Sequence, residues 1–217
     1  MFQFAKEGYP FIIFFIAITI ISAIIRFNYV TVVALILTLF MFYFFRDPER
    51  ITPYDINAFI SPADGKIIVI AESNEDEMLK ETRKKISIFM SPLNVHVNRV
   101  PSDGTVRNVK HVPGKFLSAF KDDAAKYNEH ITMEYETAHG SIVIKQIAGY
   151  VARRAVCRVK PGDNLRQGER YGIIKFSSRL DIFLPLDAEI KVNLNDKVKA
   201  GETVLAEIRA QSTEPRQ

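Results

Sequence analysis

The segment Tyr171-Gly172-Ile173-Ile174-Lys175-Phe176-Ser177-Ser178-Arg179-Leu180-Asp181-Ile182-Phe183-Leu184-Pro185 sets two apolar runs on either side of a polar Ser-Ser-Arg. Serine is common in turns, so composition alone reads it as a hairpin turn. Its hydroxyls are nevertheless the candidate nucleophiles of the chain, provided a base takes the proton and donors hold the oxyanion. Two other residues have suitable types. Asp64 sits in a Pro-Ala-Asp-Gly turn, where capping is the ordinary role of Asp. His96 sits in the alternating Val95-His96-Val97-Asn98-Arg99, where a core or surface imidazole is equally ordinary. His111 precedes Val112-Pro113-Gly114, His130 follows Asn128-Glu129, and His139 adjoins Gly140 in a turn. No cluster has metal-ligand spacing. The single Cys157 forbids an internal disulfide and a Cys-rich metal site.

These residues need a scaffold, and the chain offers two unlike parts. Its 217 residues are 25% charged, yet the mean hydropathy is +0.01. From Gly8 to Phe45 Arg26 is the one charged residue. It splits the stretch into apolar helices over about 8–25 and 27–45, each close to the ~30 Å hydrocarbon thickness. The run is too long for a signal peptide and lacks a small-residue cleavage site. The expected arrangement is an N-terminal transmembrane helical hairpin in residues 1–50, with a hairpin re-entrant in one leaflet as the alternative. Lys6, Arg46 and Arg50 place both ends in the cytoplasm. Net charge +4 suits an anionic membrane surface; nothing points to nucleic acid.

Pro48 and Pro53 stop the second helix, and short β-type runs follow. Strands are expected over 66–71, 85–90, 96–100, 105–111, 131–136, 141–151, 173–176, 180–184, 189–192 and 203–208, with a helix around Lys115–Tyr127. In that helix Phe116, Leu117 and Phe120 share a core-facing spacing. Residues 51–209 form the catalytic domain and 210–217 a disordered tail. An internal repeat stands out. Val159-Lys160-Pro161-Gly162-Asp163 through Gly168-Glu169 is echoed 33 residues later by Val192-Asn193-Leu194-Asn195-Asp196 through Gly201-Glu202. Pro62-Ala63-Asp64-Gly65-Lys66 is echoed more loosely by Pro101-Ser102-Asp103-Gly104-Thr105. The pattern resembles the hammerhead of lipoyl- and biotinyl-type domains. The expected class is mainly β, a pseudo-symmetric barrel-sandwich.

The ordered series Ser61-Pro62-Ala63-Asp64-Gly65, Ser91-Pro92-Leu93-Asn94-Val95-His96-Val97-Asn98-Arg99, Val112-Pro113-Gly114, Asn128-Glu129, Gln146-Ile147-Ala148-Gly149 with Ala152-Arg153-Arg154, and the Ser178 segment resembles the phosphatidylserine decarboxylase family in its short form. The resemblance covers nearly the whole soluble part. It implies a proenzyme that cuts itself between Ser177 and Ser178 by serinolysis. Ser178 then becomes a covalent pyruvoyl group, whose ketone forms a Schiff base with phosphatidylserine and takes up electrons as CO₂ leaves. The product is phosphatidylethanolamine. The chains 1–177 and 178–217 remain associated, and a homodimer at the cytoplasmic membrane is expected. Asp64 and His96 are implied as a relay for Ser178. Arg99, Arg153, Arg154 and His111 are candidate contacts for the phosphate or carboxylate. No metal is implied.

Two departures stand out. Longer members carry two His three residues apart where this chain has His96 and Arg99. Ser177 occupies a position where Gly is usual and positive φ easy, which predicts slower maturation. Two rival readings are a membrane-tethered lipoyl- or biotinyl-like module using Lys175, and a Ser-His-Asp lipid hydrolase. The former lacks the usual neighbours of a swinging-arm lysine; the latter lacks a Gly-x-Ser-x-Gly elbow.

Overall fold

A computed structural model describes residues 3–115, 127–149, 154–176 and 178–209. The expected helix over 115–127 lies almost wholly outside them, with Phe116, Leu117 and Phe120. Arg153, Ser177 and the tail 210–217 also lie outside them.

Helices α1 (Tyr9–Ile24) and α2 (Asn28–Phe44) pack antiparallel, with Thr19 Oγ1 3.1 Å from Thr38 Oγ1 and Thr31 Oγ1 donating to Ser22 Oγ at 3.0 Å. The first ends in a Schellman motif. Arg26 takes φ 58°, Phe27 N bonds Ser22 O, and Arg26 N bonds Ala23 O. The apolar helix Lys6–Ile24 is long enough to cross a bilayer; α2 is shorter, about 26 Å by rise. Most of their outer surface is exposed Ile, Val, Leu and Phe.

The rest is mainly β. Its strands are β1 (Ala58–Ile60), β2 (Gly65–Glu75), β3 (Glu81–Met90), β4 (Val97–Arg99), β5 (Gly104–Val112), β6 (His130–Thr137), β7 (Gly140–Ala148), β8 (Ala155–Cys157), β9 (Asn164–Leu165), β10 (Arg170–Ile174), β11 (Ser178–Leu184), β12 (Ala188–Ile190), β13 (Lys197–Val198) and β14 (Val204–Ile208). Eight form an open, curled half-barrel in the order β13-β2-β3-β11-β7-β6-β5-β9. Two three-stranded sheets, β1-β14-β12 and β4-β10-β8, complete the fold. Every expected strand has a counterpart. The short β1, β8, β9 and β13 were not anticipated, being too brief to show a period.

The repeat has a structural meaning. Gly162 and Gly168 have positive φ, and so do Asn195 and Gly201, 33 residues on. Asp163 Oδ2 accepts from Lys160 N at 3.0 Å, and Asp196 Oδ2 from Asn193 N at 2.7 Å. Asp103 Oδ1 accepts from Gln167 N at 2.7 Å, and Asp64 Oδ1 from Ala200 N at 2.8 Å. The large sheet mirrors itself about the central β11–β7 pair, and the two small sheets correspond strand for strand. One half, β4 to β10, is continuous in sequence and inserted between β3 and β11 of the other.

That insertion corrects the hairpin reading of the Ser178 segment. β10 pairs with β4 and β8, whereas β11 pairs with β3 and β7. The chain thus leaves one sheet after Ile174 and enters the other at Ser178, a crossover between sheets. In the continuous half, Thr137 and Gly140 close a tight β6–β7 turn. At the matching place in the other half, Met90 faces Ser178 with no direct connection between them.

The main core lies inside the curled sheet, around Ile86, Ile88, Met133, Ile144, Leu180 and Ile182. A second cluster joins the bases of both helices to the β4-β10-β8 sheet through Met41, Phe44, Phe45, Val95, Val97 and Ile173, with Phe176 at its margin.

Candidate active site

Ser178 opens β11, buried between Met90 of β3 and Ala148 of β7. The two-residue period puts Ser178, Leu180 and Ile182 on the core face. Its Oγ lies 3.4 Å from Met90 Sδ. The same sulfur is 3.9 Å from Asn98 Nδ2, which also points to Pro62 O at 3.4 Å. Asn98 Oδ1 accepts from Gln146 Nε2 at 2.8 Å, and Gln146 Oε1 is buried without a hydrogen-bond partner among the described residues. Gly172 leaves room for this pair, since a Cβ there would fall 2.9 Å from Gln146 Nε2. Asn98 and Gln146 were present in the motifs but carried no assignment.

Two residues before Ser178, Phe176 holds φ 65°. A bulky residue in the left-handed region stores about 1–3 kcal/mol and persists only where surroundings enforce it. Here the Phe44 ring enforces it, stacking on Phe176 at 4.7 Å between centroids. Phe44 also lies 4.3 Å from the His96 ring. In the sequence Phe44 was one of many apolar helix residues, so nothing marked it.

His96 is fully buried. Its Nδ1 is 3.0 Å from Asn94 O. A carbonyl only accepts, so Nδ1 carries the proton and Nε2 presents a lone pair. That Nε2 has no hydrogen-bond partner among the described residues. Burial pushes the imidazole down to about 4, with the Arg46 charge acting in the same direction and the Asn94 and Phe176 backbones opposing it. The ring is therefore neutral at pH 7, a free base beside the Phe176 backbone. Among the described residues no hydrogen bond joins it to Ser178 Oγ.

Asp64 is placed elsewhere. Its carboxylate meets Arg50 Nη2 at 3.0 Å and Ala200 N at 2.8 Å, and shares no hydrogen bond with His96. Burial raises its pKa despite Arg50. Its turn reaches Ser178 through Pro62 O, Asn98 and Met90. Arg99 is buried, donating to Gly168 O and Pro48 O, with Asp47 at 3.6 Å. Together with Arg170–Asp47 at 2.8 Å and Arg50–Glu202 at 3.1 Å, it staples the segment after α2 to the β domain. His111 is exposed and paired with Glu129 at 3.2 Å; Arg154 is exposed, its carbonyl accepting from Lys175 N. Neither is joined to His96 or Ser178. Lys175 stands at no hairpin tip: it lies in the crossover, its Nζ 5.5 Å from the Phe11 ring.

Ser178 is buried two residues after Phe176, which holds a positive φ and whose backbone lies beside the unprotonated imidazole of His96. Comparison with known proteins shows the family. Residues 37–206 match the family model described as phosphatidylserine decarboxylase. The chain is similar to the phosphatidylserine decarboxylase proenzyme of Desulfotalea psychrophila, 46% identical over 205 residues, covering 94% of this chain and 96% of that one. The proenzyme of the same name from Geotalea uraniireducens is 47% identical over 202 residues, covering 93% and 94%. The one from Geobacter sulfurreducens is 48% identical over 207 residues, covering 93% and 94%. This chain belongs to the phosphatidylserine decarboxylase family.

Proposed function

We propose that the chain is a phosphatidylserine decarboxylase proenzyme that cuts itself between Ser177 and Ser178. The supporting observation is the position of Ser178: buried at the start of β11, two residues after Phe176, which holds a positive φ and whose backbone lies beside the His96 imidazole with its free Nε2. His96 Nε2 takes the Oγ proton as Ser178 attacks the Ser177 carbonyl, and the peptide bond becomes an ester. Elimination releases a chain ending in the Ser177 carboxylate. The remaining dehydroalanine adds water and loses ammonia, leaving a pyruvoyl end at position 178.

The site fits that group. Ser178 is buried, and Gln146 Oε1, on the strand paired with β11, and His96 Nε2 are acceptors without a hydrogen-bond partner among the described residues. The pyruvoyl ketone supplies the electron sink for loss of CO₂ from phosphatidylserine. This chain's residues then exclude water and move protons, with His96 serving the second reaction as well. Asp64 acts as a positioning residue through the 61–65 turn. Arg99 fixes the segment after α2, and Arg153, Arg154 and His111 meet the headgroup from the periphery.

The finer architecture is a barrel-sandwich of two hammerhead halves over 51–209. Residues 1–50 form a hairpin anchor in the cytoplasmic membrane, with the catalytic domain on the cytoplasmic side and 210–217 as a tail. The exposed apolar helix surface supports the anchor. The fragments stay associated, and the enzyme is a homodimer. Intact mass spectrometry of the purified protein tests the reading. It should show residues 1–177 and a 40-residue fragment, 178–217, with a carbonyl-blocked N-terminus. A single uncut chain in active membranes overturns it. Ser178→Ala should stay whole and inactive.

A further inference from the structure

The helix pair carries a groove that self-cleavage does not use. At the base it is lined by Pro10, Phe11, Phe14, Phe15, Met41 and Phe176, around about 510 Å³. A second hollow of about 330 Å³ shares Phe15 and continues past Leu37 to Tyr29, near the turn between the helices. Both volumes fall within the roughly 300–1,000 Å³ of ligand pockets. The walls are apolar along the whole length. One end is the ring of Phe176, two residues before Ser178. Beside that end the Lys175 ammonium lies 5.5 Å from the Phe11 ring centroid.

We propose that this groove binds one acyl chain of the aminophospholipid substrate, with Lys175 Nζ pairing with its phosphodiester. The inference rests on the decarboxylase reading and deepens it. In an aminophospholipid the amine and the phosphodiester are a few bonds apart. A lipid whose amine reaches Ser178 therefore has its phosphate near the crossover that carries Lys175. Its glycerol then lies against Phe176, and an acyl chain leaves along α1. The order of surfaces matches the order of lipid groups: cation, aromatic ring, then an apolar track. Contacts along that track supply binding energy remote from the reacting carbon, which orients the headgroup.

The test uses the full chain in detergent micelles, with maturation scored first by intact mass. Values of kcat/KM are compared for dioleoyl- and dibutyryl-phosphatidylserine. Phe14→Trp and Leu37→Trp narrow the groove near its base and farther along. Each should lower the dioleoyl-to-dibutyryl ratio by about tenfold, the low end of what a misfit in an apolar pocket costs. Across a series of chain lengths, Leu37→Trp should begin to discriminate at longer chains than Phe14→Trp. Lys175→Met should raise KM for both substrates, with Lys175→Arg restoring it. A matured, active enzyme whose ratio moves with neither Trp variant holds only bulk lipid there, and the inference is overturned. An uncut, inactive wild type instead overturns the parent reading. Leu37 is distant from the cut, so its variant keeps the test open should Phe14→Trp mature poorly.

Discussion

Phe44, the last residue of α2, lies 4.3 Å from the His96 ring and at the same time stacks at 4.7 Å on Phe176. One side chain of the apolar helix pair thus shields the imidazole and packs on the strained Phe176. Phe44→Ala should admit water to His96, and its pKa should rise from about 4 toward the usual 6.5. The acid limb of the self-cleavage rate, followed by intact mass against pH, should move up with it. Phe44→Leu should shift the limb less. An unmoved limb with both variants would show that Phe44 only packs.

His96 also makes stability pH-dependent. Its folded pKa of about 4 lies below the unfolded value near 6.5, so the unfolded chain binds the extra proton between them. The stability from neutral burial is complete above 6.5 and is lost as pH falls toward 4. The drop should be on the order of 3 kcal/mol. Denaturant midpoints of Ser178→Ala measured over this range should show it. The double variant with His96→Gln should not, and His96→Gln alone should abolish cleavage while folding.

Asp64 and Asp103 hold equivalent turns, each accepting one backbone N–H from the repeated segment of its own half. Their second oxygens differ: Asp64 meets Arg50, Asp103 meets Tyr54. Asp64→Asn and Asp103→Asn should each cost about 1–3 kcal/mol. The self-cleavage rate should fall by roughly a hundredfold, about 2.7 kcal/mol of barrier, for Asp64→Asn only. Equal rates in the two variants would reduce Asp64 to a fold residue.

The cut should leave the assembly intact. β11 is hydrogen-bonded along its length to β3 on one side and β7 on the other, and its side chains are buried on both faces. Size-exclusion chromatography should keep 1–177 and 178–217 in one peak until denaturant is added. Separation in native buffer would contradict this ladder.

Much of this was readable in the sequence, for identifiable reasons. The 33-residue echo found the two matched turns because positive-φ positions demand Gly or Asn, and those residues survive in both copies. The helix limits were readable because Arg26 interrupts an otherwise apolar run. What escaped depends on long-range placement. The segment around Ser178 looks like a hairpin locally; only the strand partners reveal a crossover. Conformational demand was expected at Ser177, which lies outside the described residues; the positive φ at Phe176 was not anticipated. Asp64 and His96 are close in motif order, yet one faces Arg50 and the other faces Phe44.

The insertion of one half into the other bears on timing. Ser178 gains its surroundings only when β3, completed before the insertion, and β7, from within it, close on β11. His96 and Phe176 stand at the two ends of the same insertion. No partly folded chain has all of these together. On the proposed reading, self-cleavage at Ser178 reports assembly: a chain that misassembles should remain whole, and only a correctly assembled one should acquire its reactive end.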